Sequence, residues 1–451
     1  MTLRFRNSIS GLKEDFVPLD AEKIKMYVCG PTVYDLIHLG NARPLVVYDV
    51  LYRLLRKIYG PDKVLYVRNI TDVDDKINQK AIEQKISIFE LTKQTIAQFS
   101  EDALYLNCLT PNIEPKATDH IAQMIAMIQR LLQHNNAYVQ DGSVYFDVTS
   151  FADYGKLSGR LLQDLIAGAR VQVDGNKRHP GDFLLWKPAL GPLDPSSVFP
   201  SPWGPGMPGW HIECSSMAHA YLGENFDIHG GGVDLLFPHH TNEVAQSCCA
   251  FPGSRFANYW IHNGFLRVEG EKMSKSLGNF ITVADLKEQK ISSSTIRYVL
   301  LNTSYHKPMD FTQDTLRQAS ANIDYLQRAI KGASPCDHAQ ITEEFFSHLQ
   351  DDLNTPSALN YLLSVAKQAN KTNQNSLREA IKYCCDFLGM LHEERIVDDT
   401  KKAKIQELIN QRSLAKSKKD WALADQIRQQ LMQMGITLED NPDGSVSWHQ
   451  V

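Results

Sequence analysis

The segment FPHHTNE, residues 237–243, carries two side chains that can bind a metal ion. His239 and Glu243 stand four residues apart, and on a helix this spacing places both on one face, one above the other. An imidazole and a carboxylate so placed can share one ion. Polar pairs at this spacing are also common on solvated helix surfaces, which is the more frequent alternative for an isolated pair. Residues elsewhere in the chain must therefore decide whether this is a metal site.

A second candidate is the segment PTVYDLIHLGNAR, residues 31–43, which follows a predicted strand and opens a predicted helix. The free N–H groups at a helix start, with the positive end of its dipole, suit the phosphates of a nucleotide. Gly40 would let the nucleotide approach the backbone closely. A capping His38 beside a turn glycine is the structural alternative, because His-x-Gly alone is a weak signal.

A third candidate is EKMSKSLGN, residues 271–279, in which Lys272 and Lys275 flank small hydroxyl residues. Two ammonium groups on a loop can follow negative charge as it moves onto a leaving pyrophosphate, which stabilises the transition state. A solvated basic loop is the alternative, but the five-residue string KMSKS rarely occurs by chance.

The elements around these segments predict a parallel α/β sheet. Residues 24–30 and 64–71 read as buried strands, and residues 46–58 between them have the apolar spacing of a helix. Strand, helix, strand begins a sheet whose ligand lies beyond the carboxyl ends of its strands. FDIHGGG, residues 226–232, predicts a later strand that ends just before FPHHTNE.

Composition excludes several classes of protein. The net charge of −5 over 451 residues gives no global polycation, so any RNA contact must come from a local basic surface. The eight cysteines are sparse and include two adjacent pairs, which predicts reduced thiols rather than a disulfide framework. We find no secretory h-region and no apolar run that could span a membrane, so the sequence predicts a cytoplasmic protein with no membrane partner.

The nucleotide turn and the KMSKS string, in this order on an α/β chain, resemble the class I aminoacyl-tRNA synthetases, whose two motifs are usually written HIGH and KMSKS. Here the first motif ends in Asn41, which can donate a hydrogen bond but cannot carry a proton's charge. The resemblance implies catalytic roles for His38, Asn41, Lys272 and Lys275. It implies ATP contacts, with Mg²⁺ accompanying ATP, for His38, Gly40, Asn41 and Lys275.

Within that class, the strings YVCGPTVYD, RNITDVDDK, PWGPGMPGWHIECSSM and FDIHGGGVDLLFPHHTNE resemble the cysteinyl-tRNA synthetase family, and the similarity covers essentially the whole chain. The resemblance implies one zinc ion per chain, held by Cys29, Cys214, His239 and Glu243. Two thiolates, an imidazole and a carboxylate are a reasonable zinc set. Shape alone separates cysteine from serine by only ~1 to 3 kcal/mol, so a metal that binds the substrate thiolate would make a separate editing site unnecessary.

Two thiolates and a carboxylate against one divalent ion leave a net negative charge, which a substrate thiolate would increase. We expect His211, His229 and His240 to donate hydrogen bonds to the ligand atoms; ordinary turn histidines are the alternative.

The substrate pocket is assigned by resemblance. Trp210 would form a wall beside the substrate, Asp234 would bind its α-ammonium group, and Thr71 would line the site. A core aromatic is the alternative for Trp210.

Near the carboxyl end, basic residues on predicted helices flank Trp421, a combination that suits a single-stranded RNA loop. A solvated charged face is the alternative, but the resemblance implies the anticodon-binding end. The basic residues are Lys401, Lys402, Lys404, Arg412, Lys416, Lys418, Lys419 and Arg428.

The predicted fold is a Rossmann-like parallel-sheet catalytic domain with an insertion, followed by an α-helical domain and a small mixed domain. The predicted segments are 1–117 and 204–262 (catalytic halves), 118–203 (insertion), 263–320 (KMSKS loop and stem contact), 321–398 (helical bundle) and 399–451 (anticodon binding). The predicted activity is a ligase that joins L-cysteine to tRNA(Cys) with ATP, acting as a monomer. A cysteine ligase with an amino-sugar acceptor is the nearest alternative, and a non-catalytic zinc-containing RNA-binding protein is the alternative from another class.

Overall fold

A computed structural model describes residues 2–160, 175–190, 193–273, 278–391, 399–418, 420–434, 436–440 and 446–450. The chain divides into two compact units, residues 1–391 and 392–451, which are described separately.

The larger unit contains both strands and helices. Its strands are β1 Arg4–Arg6, β2 Lys13–Asp15, β3 Ile24–Val28, β4 Val64–Arg68, β5 Ala137–Gln140, β6 Ser143–Phe146, β7 Phe183–Pro188, β8 Gly206–Pro208, β9 Asn225–Gly232, β10 Phe256–Asn263, β11 Leu266–Val268, β12 Glu271–Lys272 and β13 Met309–Phe311. Its helices are α1 Leu39–Tyr59, α2 Asp75–Gln84, α3 Ile88–Tyr105, α4 Ile121–Gln133, α5 Trp210–Leu222, α6 Thr241–Ala250, α7 Val283–Glu288, α8 Ser293–Leu301, α9 Gln313–Ala329, α10 Ala339–Gln350, α11 Thr355–Thr372 and α12 Asn375–Phe387.

The central sheet is parallel, with the strand order β10-β9-β3-β4. From β3 the chain moves to one side to form β4, and later to the other side to form β9 and β10. The reversal between β3 and β9 creates a crevice at the carboxyl ends of these two strands, where ligands of such sheets bind. The predicted α/β fold class is confirmed.

Local sequence explains why this sheet is covered on both faces. Most residues of β3 are buried, as expected for a parallel strand packed on both sides. Helix α1 packs against the sheet through an apolar stripe at four-residue spacing, including Val46, Val50 and Leu54, each at most 1% exposed.

The inserted part forms an antiparallel sheet of order β5-β6-β7-β8. Its last strand, Gly206–Pro208, lies beyond residue 203, the predicted end of the insertion. The proposed domain boundaries stay predictions.

Two buried arginines fasten α1 to later parts of the chain. Arg43 donates hydrogen bonds to four backbone carbonyls, those of Gly264, Phe265, Ser304 and Lys307, at 2.7 to 3.2 Å. Arg297 on α8 pairs with Asp49 of α1 at 2.6 Å, with both side chains fully buried. Removing one partner of such a pair is strongly destabilising, because the other charge stays buried.

The smaller unit is a helical hairpin with a two-stranded antiparallel sheet. Its core includes Ile405, Leu408 and Ile409. Its elements are α13 Asp399–Ser417, α14 Trp421–Gln433, β14 Ile436–Asp440 and β15 Val446–Gln450. Across the described ranges of both units, no helix has the length and hydropathy needed to cross a membrane.

Candidate metal centre and nucleotide site

Four separate elements bring the four predicted metal ligands together at the crevice between β3 and β9. Cys29 directly follows β3, and Cys214 lies in α5. His239 lies in the turn Leu236–His240 that leads into α6, and Glu243 lies in the first turn of α6.

The donor atoms of these four residues all lie within 4.8 Å of one another. The Sγ of Cys29 lies 3.7 Å from the Sγ of Cys214, 3.6 Å from Nε2 of His239 and 3.5 Å from Oε1 of Glu243. The His239 Nε2 to Glu243 Oε1 distance is 3.1 Å. The arrangement can bind a metal ion.

Mutual interactions set the charge of this cluster. Burial raises the pKa of Cys29 well above its usual value. Burial also acts to raise the pKa of Cys214, but contacts with Cys29 and His239 bring it down to about 6. Burial acts to lower the pKa of His239, but Glu243 and Cys214 raise it to about 10. The negative charge of Cys214 and Glu243 is what raises the pKa of His239, and the same negative charge favours a bound cation.

Three further histidines surround the cluster. Nε2 of His229 lies 2.9 Å from Oε2 of Glu243, and Nδ1 of His211 lies 2.9 Å from Nδ1 of His239. His240 contacts the ligands less closely, since its Nε2 lies 3.9 Å from Oε1 of Glu243. Its Nδ1 lies instead 2.7 Å from Nε2 of His262.

The glycines at the end of β9 allow side chains to pack directly against the strand backbone. A Cβ on Gly231 would lie 2.7 Å from Cε1 of His240, and a Cβ on Gly232 would clash with the carboxylate of Asp234. Only glycine lets the strand end pass so close to these side chains.

The nucleotide turn packs against the chain that follows the KMSKS string. The N–H of Leu39 donates to the carbonyl of Ile281 at 3.0 Å, and the ring of His38 meets the ring of Phe280 at 5.0 Å. Asn41 accepts a hydrogen bond from the N–H of His38 at 3.4 Å, so the asparagine of this motif also helps to begin α1.

The two motifs lie close together where the structure describes them. A Cβ on Gly40 would lie 3.6 Å from Cε of Met273, the methionine of KMSKS. Lys272 ends β12 with an exposed side chain. Lys275 falls in residues 274–277, outside the described residues, so its role stays a prediction.

The predicted substrate residues differ in their exposure and in their contacts. Trp210 is 39% exposed and its ring lies 4.2 Å from that of His239, so it is not a core aromatic. Thr71 is buried and donates to Oε2 of Glu213 at 2.9 Å. Asp234 is exposed, and its carboxylate lies next to Gly232 at the end of β9.

Two polar residues of the site were not predicted from the sequence. The side-chain Oδ1 of Asn69 accepts a hydrogen bond from the N–H of Gly30 at 2.9 Å and lies 3.7 Å from the Sγ of Cys214. Buried Glu213 holds Thr71. The sequence did contain a clue to each of them: Asn69 is a polar residue directly after β4, and Glu213 is an acidic residue next to the proposed ligand Cys214.

In the smaller unit, the predicted basic surface is only partly present. Lys404, Lys418 and Arg428 are exposed, and Trp421 is 59% exposed. Lys416 is half-buried. Arg412 was wrongly predicted for this surface, because it is only 3% exposed. Lys419 and the side chains of Lys401 and Lys402 lie outside the described residues.

Family models match most of the chain. The model for the tRNA synthetase class I (C) catalytic domain matches residues 15–321, and the DALR domain model matches residues 344–392. Among solved structures, Mycobacterium tuberculosis methionyl-tRNA synthetase in complex with methionyl-adenylate covers 81% of this chain and 89% of its own, with a TM-score of 0.59 and 15% identity. At that identity the likeness supports the fold alone. The chain belongs to the class I aminoacyl-tRNA synthetases, which are ligases.

Curated relatives define the branch of that class. The cysteine–tRNA ligase of Orientia tsutsugamushi (strain Ikeda) is 51% identical over 474 residues, covering 99% of both chains. That of Ehrlichia canis (strain Jake) is 49% identical, covering 98% of this chain and 99% of the relative. The chain belongs to the cysteine–tRNA ligase family, which confirms the resemblance. These relatives give no support to the amino-sugar alternative.

Proposed function

We propose that this chain activates L-cysteine with ATP, transfers the cysteinyl group to the terminal ribose of tRNA(Cys), and selects cysteine through one zinc ion. The proposed ligands are Cys29, Cys214, His239 and Glu243. The observation that carries this proposal is the convergence of these four donors at the reversal point of the parallel sheet.

The donor spacing fits zinc. Tetrahedral zinc with Zn–S near 2.3 Å and Zn–N or Zn–O near 2.0 to 2.1 Å requires S–S separations of about 3.8 Å, S–N or S–O separations of about 3.6 Å, and N–O separations of about 3.3 Å. The corresponding distances are 3.7 Å for Cys29–Cys214, 3.6 Å for Cys29–His239, 3.5 Å for Cys29–Glu243 and 3.1 Å for His239–Glu243. Each lies within about 0.2 Å of the requirement.

The zinc would supply a position that favours a thiolate over a hydroxyl. Trp210, whose ring lies 4.2 Å from that of His239 and is tilted by 35° to it, would close one side of this position, and Thr71 would line it beside Glu213. Asp234, at the end of β9, faces the α-ammonium group of the substrate in this proposal. These residues orient the amino acid, while shape alone would reject serine by only ~1 to 3 kcal/mol.

The surrounding histidines act in two ways. A carboxylate can only accept, so His229 donates to Glu243 and withdraws part of its negative charge. If His239 binds the metal through Nε2, its Nδ1 carries the proton and donates to His211. Burial lowers the pKa of His211 to about 3, so it is neutral and able to accept. In this proposal His229 donates, His211 accepts and His240 lies at a greater distance, in place of the three donors expected from the sequence.

ATP, with Mg²⁺, would lie over the amino end of α1, where His38, Gly40 and Asn41 form the turn. The N–H groups and dipole of a 21-residue helix favour the phosphates there. Lys272 and Lys275 would then stabilise the charge that develops on the leaving pyrophosphate.

The remaining parts of the proposal concern the partner and the location. We propose a monomer that acts in the cytoplasm, where tRNA is charged. The exposed Trp421 and basic residues Lys404, Lys418 and Arg428 would contact the anticodon loop by stacking and phosphate neutralisation.

The deciding experiment separates activation from transfer. Wild-type protein should support cysteine-dependent ATP–pyrophosphate exchange, and should then label tRNA(Cys) but not an amino sugar. Cys214→Ala and His239→Ala should lower zinc content and cysteine activation together while the circular dichroism spectrum stays folded. A zinc-depleted variant that still selects cysteine over serine would overturn the proposed role of zinc.

A further inference from the structure

A second group of metal-binding side chains lies in the helical part of the larger unit, away from the sheet. Cys336 and His338 lie in the segment between α9 and α10, and Glu379 lies in α12. Their three donor atoms lie within 4.8 Å of one another. Cys336 is exposed, and the side chains of His338 and Glu379 are 32% and 25% exposed.

The backbone holds these residues in place. The N–H of Cys336 donates to the carbonyl of Glu379 at 3.3 Å, which fixes the segment to α12. His338 has an extended backbone (φ −94°, ψ 98°) directly before α10. The intervening Asp337 pairs with Lys57 of α1 at 2.8 Å.

The Glu379 carboxylate is also oriented before any ion binds. Its Oε2 lies 2.8 Å from Nε2 of His338, and its Oε1 accepts a hydrogen bond from Asn375 at 2.6 Å. Tetrahedral zinc needs about 3.3 Å between a nitrogen and an oxygen donor and about 3.6 Å between sulfur and either. An opening of about 0.5 Å at the His338–Glu379 contact and a swing of the exposed Cys336 thiol by about 1 Å would meet this requirement.

We propose that Cys336, His338 and Glu379 bind a second zinc ion, with water as the fourth ligand. One thiolate, one carboxylate and one neutral imidazole match the charge of a divalent cation. The four ligands at the parallel sheet, called the sheet cluster below, carry one anionic ligand more, because they include two thiolates and a carboxylate. The softer thiolate and imidazole favour zinc over magnesium or calcium. The ion would join the segment before α10 to α12 and thereby stabilise the helical part of the unit.

The test is zinc stoichiometry of the full-length, zinc-loaded protein, measured by equilibrium dialysis in a buffer with a phosphine reductant. Wild-type protein should rise from one to two zinc ions per chain as free zinc increases, while Cys336→Ser and His338→Gln should stay at one. His348→Gln is the matched control, because this half-buried histidine of α10 is outside the group, and it should bind two.

A thermal measurement gives a second readout. Added zinc should raise the unfolding temperature of wild-type protein by a few degrees and leave that of Cys336→Ser unchanged, because only an ion bound to the folded state stabilises it. Saturation of wild-type protein at one zinc per chain, or a second zinc that persists in Cys336→Ser, would overturn the site. Cysteine-dependent pyrophosphate exchange without added zinc should be equal in both proteins.

Discussion

His229 holds one carboxylate oxygen of Glu243, and the other oxygen meets Cys29 and His239. The Nε2 of His229 lies 2.9 Å from Oε2, which leaves Oε1 directed at Cys29 and His239. The His229 ring is itself fixed, because it stacks on Trp260 with centroids 4.4 Å apart and planes at 15°. The carboxylate is therefore oriented by a residue outside the proposed ligand set.

This geometry predicts that His229→Leu lowers zinc affinity about 10- to 100-fold, the usual effect of losing a hydrogen bond to a metal ligand. His229→Gln should lose much less, since its amide can still donate to Oε2. Zinc affinity is measured by competition with a chelator of known strength. His219→Leu, which removes a histidine stacked on Phe251 outside the cluster, is the control. Equal affinities for the Leu and Gln variants would contradict the orienting role.

Local spacing explains which parts of the site could be predicted from the sequence. His239 and Glu243 could be paired because they are four apart, and the structure places them in contact at 3.1 Å. Cys29 and Cys214 are 185 residues apart, and only the sheet topology brings their sulfurs to 3.7 Å. Their assignment depended on the resemblance.

Other features of the site, such as the direction of a hydrogen bond, depend on atomic positions that a sequence does not give. Which way the His211–His239 hydrogen bond runs depends on which nitrogen faces the cluster, and no sequence pattern gives that. The wrong prediction for Arg412 is different, because the sequence itself indicated that this residue is buried. Arg412 is seven residues after Ile405 and lies on the same buried helix face as Leu408 and Ile409, so the apolar period already favoured a buried position.

Arg43 connects the nucleotide turn to the hairpin that carries KMSKS. It lies in α1, and its four acceptors include Gly264 and Phe265, just before β11. Burial lowers its pKa to about 10, so it remains charged at neutral pH. A lysine cannot reproduce the fork that reaches several carbonyls at once.

We therefore expect Arg43→Lys to lower the rate constant of cysteine activation about 10- to 100-fold, because small displacements of catalytic groups carry costs of that size. The Michaelis constant for cysteine should change little. Arg297→Lys is the matched control: it also disturbs a buried guanidinium, but the hydrogen bonds of that group run to α1, to residues 106–108 and to Leu388, so the change should lower stability and leave the rate constant near wild type. Both are assayed by pyrophosphate exchange well below their unfolding temperatures. Equal rate losses in the two variants would indicate a general structural effect.

Lys275 is predicted to act in the chemical step more than in binding ATP. A contact made mainly in the transition state lowers the rate constant when it is lost and leaves ground-state binding nearly intact. Lys275→Ala should cost about 3 to 4 kcal/mol, or roughly two to three orders of magnitude in the adenylation rate constant. Lys367→Ala, on the exposed side of α11, is the control. A raised Michaelis constant for ATP with an unchanged rate constant in single-turnover experiments would refute this role.

Asp102 in α3 gives a prediction about stability that does not involve the metal. Its side chain is buried, Oδ1 accepts from Gln98 at 3.1 Å, and Oδ2 has no partner among the described residues. Burial raises its pKa to about 6, with Glu101 acting in the same direction and Gln98 and Lys287 opposing. A raised pKa means that its contribution to stability is fully present below about pH 4 and is lost as the pH rises through about 6.

Asp102→Asn removes this titration. Relative to wild type, the variant should gain at most about 3 kcal/mol of stability between about pH 4 and pH 6, and the difference should stay constant above that range. Urea unfolding at several pH values measures the difference, and Glu101→Gln, an exposed neighbour, should show no such trend. A difference between Asp102→Asn and wild type that is independent of pH would rule out this account.

The closest test of how cysteine is selected is spectroscopic. Replacing the zinc of the sheet cluster with cobalt makes each metal–thiolate contact visible, because every added thiolate strengthens the sulfur-to-metal charge-transfer bands. The Cys336→Ser background keeps the second proposed site from contributing. Cysteine should then strengthen the bands, and serine should leave them unchanged, since its hydroxyl would have to ionise at a far higher pKa to compete. Glu243→Gln should bind cobalt more weakly but keep the bands of Cys29 and Cys214, because the carboxylate is the one hard donor of the set. If cysteine binds tightly with no spectral change, the metal does not contact the substrate, and the cluster stabilises the fold without selecting the amino acid.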